Sequence, residues 1–364
     1  MGGVTERRAI TAPVFILFGS ALLVLIGLLS LRSVAPQEFT TQFYFTLLTF
    51  LIAWGISRLD YQLYTFSPWP WYGLALALLS ATWLLGDPIR GATRWLNFFG
   101  LSLQTSELVK PLMILFLATY LTAYYPTDLK KLIRFLLLLL VPIILVFLQP
   151  DLGTALILVC FSLAGIIAAG INFKMLLTVA AFCLLFLPLV FLALKPYQLE
   201  RLASFFQPSL DPQGQGYNAL QAQIAVGSGQ ILGRGLGQGT QSHLRFLPER
   251  HTDFVFASIV EELGFLGGLL ILIAASCLLI GLSQAAKQAA TETGSIICLT
   301  TLAAILFQFF INIGMNMSLL PITGVTLPLV SAGGSSTLSL GLLIGICLSV
   351  ALRPQSSHSV LEIR

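Results

Sequence analysis

The sequence predicts an all-α polytopic membrane protein of about ten transmembrane helices, with a large extracytoplasmic loop between the seventh and eighth. Three observations predict it. Of 364 residues, 57% are hydrophobic and only 9% charged, where soluble domains carry about 25% charged residues. Mean hydropathy is +0.91. Apolar runs long enough to cross a hydrocarbon core of about 30 Å recur along the chain.

The runs fall near 14–31, 43–57, 71–86, 107–125, 132–148, 152–170, 175–194, 253–283, 296–320 and 326–352. The first has the basic start, apolar stretch and small residues (Ser33, Ala35) of a signal peptide. Its length, Pro36 after the would-be cleavage site and the spans that follow make it an uncleaved first helix. An even count puts both termini on one side, together with Arg7, Arg8, Arg58, Lys130, Lys131, Arg134, Lys174, Lys287 and Arg353. By the positive-inside rule that side is the cytoplasm. Arg90, Arg94 and Lys110 fall on the outer side close to span ends, against the rule. Either they are solvated loop charge, or they are kept for an anionic ligand such as a phosphate at the outer leaflet.

Residues 195–252 form the one long connection, too long for a structureless loop inside a compact domain. Its NALQAQIAV segment suits a short interfacial helix and its glycines supply turns, so it should pack over the bundle. Residues 1–364 otherwise read as a single membrane domain. Cys160, Cys183, Cys277, Cys298 and Cys347 are odd in number, lack CxxC spacing and sit in predicted spans, which makes them core hydrophobes. GSGQILGRGLGQG lacks both the GK[ST] and the strand-turn-helix setting of a phosphate loop. No zinc spacing, GxSxG elbow or nucleic-acid signature occurs.

The acids are few enough to weigh singly. Asp253 follows Thr252, a good N-cap, and so falls in the first turn of the eighth span; it is either dipole complementation or a general base. Glu261 and Glu262 lie two turns deeper on a continuous helix and face different sides, so they are expected to be partnered for structure and not to share one site. Ser106 is an N-cap candidate for LQTSELVKP, with Glu107 in the first turn; Glu107 and Lys110 neutralise each other or line a pocket. Asp151 in FLQPDLGTA and Arg94 in TRWLNFF join them on the outer side. SAGGSSTL at 331–338 either lets helices approach or offers backbone N–H groups, and packing is the simpler reading.

RWLNFFGLSLQTSELVKP resembles the RW...QPSE..K segment of the SEDS (shape, elongation, division and sporulation) proteins. QPDLGTA, the stretch from GQGYNALQ through FLPERHTDFVFASIVEELGFLG, and NIGMNMSLLPITGVTLPLVSAGGSS match other signatures of that family across nearly the whole chain. The GTQS...FLPE.HTDF wording is closer to the RodA branch than to FtsW. The resemblance implies a peptidoglycan glycosyltransferase that polymerises lipid II on the outer face of the bacterial cytoplasmic membrane, with a class B penicillin-binding protein as partner. It implies Asp253 as the base on the acceptor sugar's 4-hydroxyl, and Arg94, Glu107, Lys110, Asp151 and, more weakly, Arg201 as substrate-binding groups. A Mg²⁺ or Mn²⁺ ion held loosely on carboxylates and the substrate's phosphates is part of the same expectation, and a lipid II flippase is the rival reading. Thr105, Thr326 and Ala332 stand where the family usually has Pro, Pro and Tyr, which bears on helix-start geometry and partner contacts.

Overall fold

A computed structural model describes residues 2–89, 92–98, 101–206 and 214–354. Arg90 lies outside them, as does part of the 195–252 connection. The described residues are predominantly helical. The helices are α1 (Gly2–Val34), α2 (Pro36–Arg58), α3 (Trp69–Leu85), α4 (Thr105–Ala123), α5 (Leu129–Leu148), α6 (Leu152–Ala168), α7 (Phe173–Ala193), α8 (Pro196–Phe206), α9 (Gln215–Gly229), α10 (Thr240–His243), α11 (Val255–Gln288), α12 (Glu292–Asn316) and α13 (Gly334–Ala351). Seven of them, α1, α2, α4, α5, α11, α12 and α13, are long and apolar enough to cross a membrane, and three shorter apolar helices lie in α3, α6 and α7. Together they sit where the apolar runs were read. Helices are the solution because backbone polar groups in hydrocarbon must be satisfied within their own segment.

Small residues set the closest approaches. A Cβ on Gly19 would lie 2.6 Å from Leu278 N and 2.8 Å from Ala274 O, so α1 runs against the backbone of α11. On α13, Gly341 and Gly345 do the same against Thr49 and Ala53 of α2. With no hydrophobic effect between helices in lipid, such close packing is what holds a pair together. Among the long helices α13 and α4 are the most deeply buried, and α4 and α12 contribute Val109, Met113, Phe116, Leu117, Ile297, Ala304 and Ile305 to the core.

Four features depart from the sequence reading. Between α3 and α4 the chain forms a three-stranded antiparallel meander, β1 (Asp87–Ile89), β2 (Ala92–Phe98) and β3 (Leu101–Gln104), where no strand was expected. It falls between the runs read at 71–86 and 107–125. The final span starts at Gly334 and not near 326, because Pro321, Gly324 and Pro328 keep 318–333 irregular. The eighth span breaks at Gly264, whose φ of 68° and ψ of −163° are non-helical, so α11 is a short first piece followed by a long one. Finally, α11 begins at Val255 with Phe254 as N-cap. Asp253 therefore precedes the helix and does not occupy its first turn, and the Thr252 hydroxyl bonds Glu249 instead of capping.

Candidate functional site

Six short segments of the chain meet at one end of the bundle. The first is the N-terminus of α4. Glu107 and Lys110, one helical turn apart, form an ion pair at 2.7 Å with Lys110 1% exposed. Ser339 Oγ of α13 donates to the Glu107 carbonyl at 2.7 Å. Gln104, not Ser106, is the N-cap residue of α4. Ser106 instead donates through Oγ to Asp151 Oδ2 at 2.7 Å, and Gln104 Nε2 donates to the same oxygen at 3.0 Å.

Asp151 is the N-cap of α6, its Oδ1 accepting from Thr154 N at 3.2 Å. A Ser, Thr, Asn or Asp at this position satisfies one of the orphan amides of a helix start. Arg94 on β2 reaches the same turn, donating from Nε to Gln149 O at 3.1 Å and from Nη2 to Pro150 O. The unpredicted meander thus places Arg94 against the carbonyls of the Asp151 turn and leads straight into α4. Arg94, Asp151, Glu107 and Lys110 gather around the start of α4, where their polar groups contact other protein groups. Arg201 lies apart, half-buried on α8, a helix that packs on α9.

Asp253 sits across an irregular ribbon from this cluster. A Cβ on Gly324 would lie 3.7 Å from Asp253 Oδ2, and Gly324 has a φ of 77°, so a glycine permits the turn that the carboxylate faces. The other flank of the ribbon, Thr323 and Val325, packs on Gly153 beside Asp151. The SAGGSS segment closes the ring. Ser331 Oγ donates to Thr252 O at 2.6 Å, Ala332 N to His251 O at 2.9 Å, and Gln104 N to Ser335 Oγ at 2.9 Å.

Sequence reasoning passed over the two residues that fix Asp253. Asn312 and Asn316 of α12, both 0% exposed, each donate from Nδ2 to the Asp253 carbonyl at 3.0 Å. Asn316 Oδ1 also accepts from Ala257 N at 3.0 Å. Phe254 has no side chain able to cap α11, so a neighbouring helix supplies the cap. The signal was available: two asparagines four residues apart share a helix face, and polar groups inside a membrane helix demand partners.

Glu261 and Glu262 fasten the long connection. Glu261 accepts from Gln241 N at 2.8 Å, Ser242 N at 2.9 Å and Thr240 Oγ1 at 3.3 Å. Glu262 Oε1 takes Ser33 Oγ at 2.5 Å, His243 Nε2 at 2.9 Å and Gly237 N at 3.0 Å. Ser33 is in the last turn of α1, and Val34 beside it accepts from Arg250 Nε. Both glutamates therefore serve the end of the bundle that carries Asp253. Their carboxylates, though on different faces of α11, hold the same 237–243 loop.

His251, outside the spans, is half-buried. Burial pulls its pKa below the usual imidazole value, with Glu249 and Glu38 opposing and Arg250 assisting. Among the described residues no group of three or more His, Cys, Asp or Glu converges as a metal cage would. Asp151 and Glu107 already have protein partners.

Comparison with known proteins gives a consistent outcome. A family model described as cell cycle protein, and named for FtsW, RodA and SpoVE, matches residues 8–356. The chain is 38% identical over 283 residues to the peptidoglycan glycosyltransferase MrdB of Escherichia coli, covering 77% of this chain and 76% of that protein. It is 36% identical over 318 residues to a probable peptidoglycan glycosyltransferase FtsW of Coxiella burnetii, covering 84% of each. Its structure matches a chain from a peptidoglycan synthase complex solved to show how polymerization and crosslinking are coordinated, with a TM-score of 0.78, 31% identity and coverage of 92% of this chain and 96% of that one.

Proposed function

The chain belongs to the FtsW, RodA and SpoVE family of cell cycle proteins and is a multi-pass membrane peptidoglycan glycosyltransferase; we propose that it polymerises lipid II on the outer face of the cytoplasmic membrane with Asp253 as general base. The observation that carries this reading is the way Asp253 is held. Two buried asparagines grip its carbonyl while its carboxylate faces the Gly324 ribbon. A base fixed by its own backbone is preorganised for one proton position, which is where general-base efficiency comes from.

In this mechanism the acceptor sugar's 4-hydroxyl gives its proton to the Asp253 carboxylate as its oxygen bonds the donor's anomeric carbon. The bond from that carbon to the diphosphate oxygen breaks, and undecaprenyl diphosphate leaves with the bonding electrons. Lys110 and Arg94, with Arg201 as a weaker contributor, supply positive charge toward the diphosphate. Glu107 and Asp151 hold the pocket's shape and accept from substrate hydroxyls. A Mg²⁺ or Mn²⁺ ion in this scheme arrives on the diphosphate as part of the substrate.

Residues 1–364 act as one membrane domain, 195–252 as its outer loop, and a class B penicillin-binding protein as the crosslinking partner. Both termini are placed in the cytoplasm. Arg353 reaching the Arg58 carbonyl and the bridge between Ala289 and Pro354, near Lys287, support a basic end opposite Asp253. The FLPERHTDF wording favours a RodA-like role in elongation and shape over FtsW-like division.

The test is polymerisation of lipid II with Mg²⁺ or Mn²⁺ by the chain purified with its cognate penicillin-binding protein, wild type against Asp253→Asn. Glycan from the wild type alone, with partner binding kept by the variant, supports the base assignment. Equal product from both refutes it. No product from either moves the weight to lipid II transport.

A further inference from the structure

A groove of ≈ 490 Å³ runs between α1, α2 and α13, on the side of the bundle away from the Glu107 cluster. Leu17, Val24, Phe50, Ala53, Ile344 and Leu348 give it an apolar lining. Serines 20 and 57 do not make it polar, since Ser20 Oγ donates to Ile16 O and Ser57 Oγ to Trp54 O within their own helices. It extends along α13 from Thr337 to Leu352, about 22 Å at the helical rise of 1.5 Å per residue. One leaflet of the hydrocarbon core is about 15 Å deep. The groove therefore suits a single extended chain. Spread over that length, ≈ 490 Å³ leaves a cross-section of about 22 Å², far below that of a helix about 10 Å across.

The ends of the groove differ in lining: Leu329 and Thr337 lie at the end nearest Asp253, and Arg58 and Leu352 at the other. Arg58 is exposed, with its guanidinium 5.3 Å from the centre of the Trp54 ring. Among the described residues no carboxylate pairs with it; Asp60, the nearest acid in sequence, lies 3.9 Å from Arg353 instead. A guanidinium parked on an indole at the mouth of an apolar slot, with free donors, matches a phosphodiester whose tail lies in the slot.

We propose that this groove binds one acyl chain of an anionic phospholipid whose phosphate is held by Arg58. The position of the charge separates this occupant from the polymerisation substrate. A polyprenyl diphosphate serving Asp253 has its anion at the opposite end of the bundle.

The test uses the full chain in detergent, titrated with 1-palmitoyl-2-oleoyl phosphatidylglycerol or the matching phosphatidylcholine, read by native mass spectrometry and by thermal unfolding. Wild type is expected to retain one phosphatidylglycerol at activation energies that strip phosphatidylcholine, and to show a larger rise in Tm with the anionic lipid. Arg58→Gln should bring the two lipids to parity. Leu17→Trp, at a partly exposed rim position, should lower retention of both. Equal retention by the wild type, an anionic preference that survives Arg58→Gln, or displacement of phosphatidylglycerol by undecaprenyl phosphate at equal concentration would each overturn the proposal. Should Leu17→Trp fail to fold, Arg58→Gln alone still decides it.

Discussion

Replacing Asn316 with alanine removes a helix cap and a support of the proposed base in one step. Its Oδ1 accepts from Ala257 N at 3.0 Å and its Nδ2 donates to Asp253 O at 3.0 Å, in a residue with no exposure to solvent. Loss of a cap costs about 1 kcal/mol, rising toward 2 where the freed amide is buried. The second hydrogen bond adds about 1 kcal/mol. Asn316→Ala should therefore lower stability by about 2–3 kcal/mol, measured by SDS-induced unfolding in mixed micelles. Asn312 still holds the Asp253 carbonyl, so the carboxylate shifts without being released; a displacement of about 1 Å costs on the order of a hundredfold in rate. Asn316→Asp separates the two roles. It keeps an acceptor for Ala257 but turns a carboxylate toward the Asp253 carbonyl, so activity should fall as far while stability falls less. The reasoning is refuted if Asn316→Ala unfolds like wild type, or if Asn316→Asp loses the stability and keeps the rate.

Three further outcomes are expected. Glu107→Gln strands a buried lysine and should cost about 3–5 kcal/mol, whereas Glu107→Gln with Lys110→Met should recover most of it; equal losses in single and double variants would show the pair to be uncoupled. Glu262→Ala removes the acceptor shared by Ser33, His243 and Gly237 and should cost about 3 kcal/mol, with faster proteolysis within 230–244; an unchanged cleavage pattern would contradict its fastening role. His251 has a folded pKa below that of the unfolded chain. Its contribution is thus fully present above the ordinary imidazole pKa of 6.5, and is lost as pH falls through the lowered folded value. Tm should decline as pH falls from 6.5 through the lowered folded value, and His251→Gln should flatten the slope; parallel profiles would sink this assignment.

What was legible in the sequence follows the physics that each feature obeys. The spans were legible because lipid imposes a length and an apolar composition on every crossing segment. The cluster of Arg94, Glu107, Lys110 and Asp151 was legible because charged residues so close to the bilayer are few and each needs a reason. The meander was not, since Ala92–Phe98 mixes Thr93, Arg94 and Asn97 with apolar residues and shows no sustained alternation to mark a strand. The break at Gly264 was not either, because glycine is tolerated within membrane helices and only its φ of 68° shows that the helix ends there.

That break also explains why helical-wheel reasoning failed at the glutamates. On a continuous helix Glu261 and Glu262 point about 100° apart, so one loop could not have engaged both. At the end of a short helical piece the loop is able to fold around it. Arg234 N and Gly235 N donate to the carbonyls of Glu261 and Glu262 at 3.0 and 2.9 Å, and Phe265 N donates back to Gln230 O at 2.8 Å. The chain at 230–235 takes up the backbone groups that the interrupted helix leaves open, and 237–243 then passes both carboxylates. A Cβ on Gly264 would lie 2.3 Å from Gly233 N, so Gly264→Ala would push these strands of chain apart as well as strain the φ. The expected result is loss of the loop's protection from protease with the spanning part of α11 intact by circular dichroism. If Gly264→Ala instead straightened α11 and left the loop protected, the glutamates would have to hold it without the break.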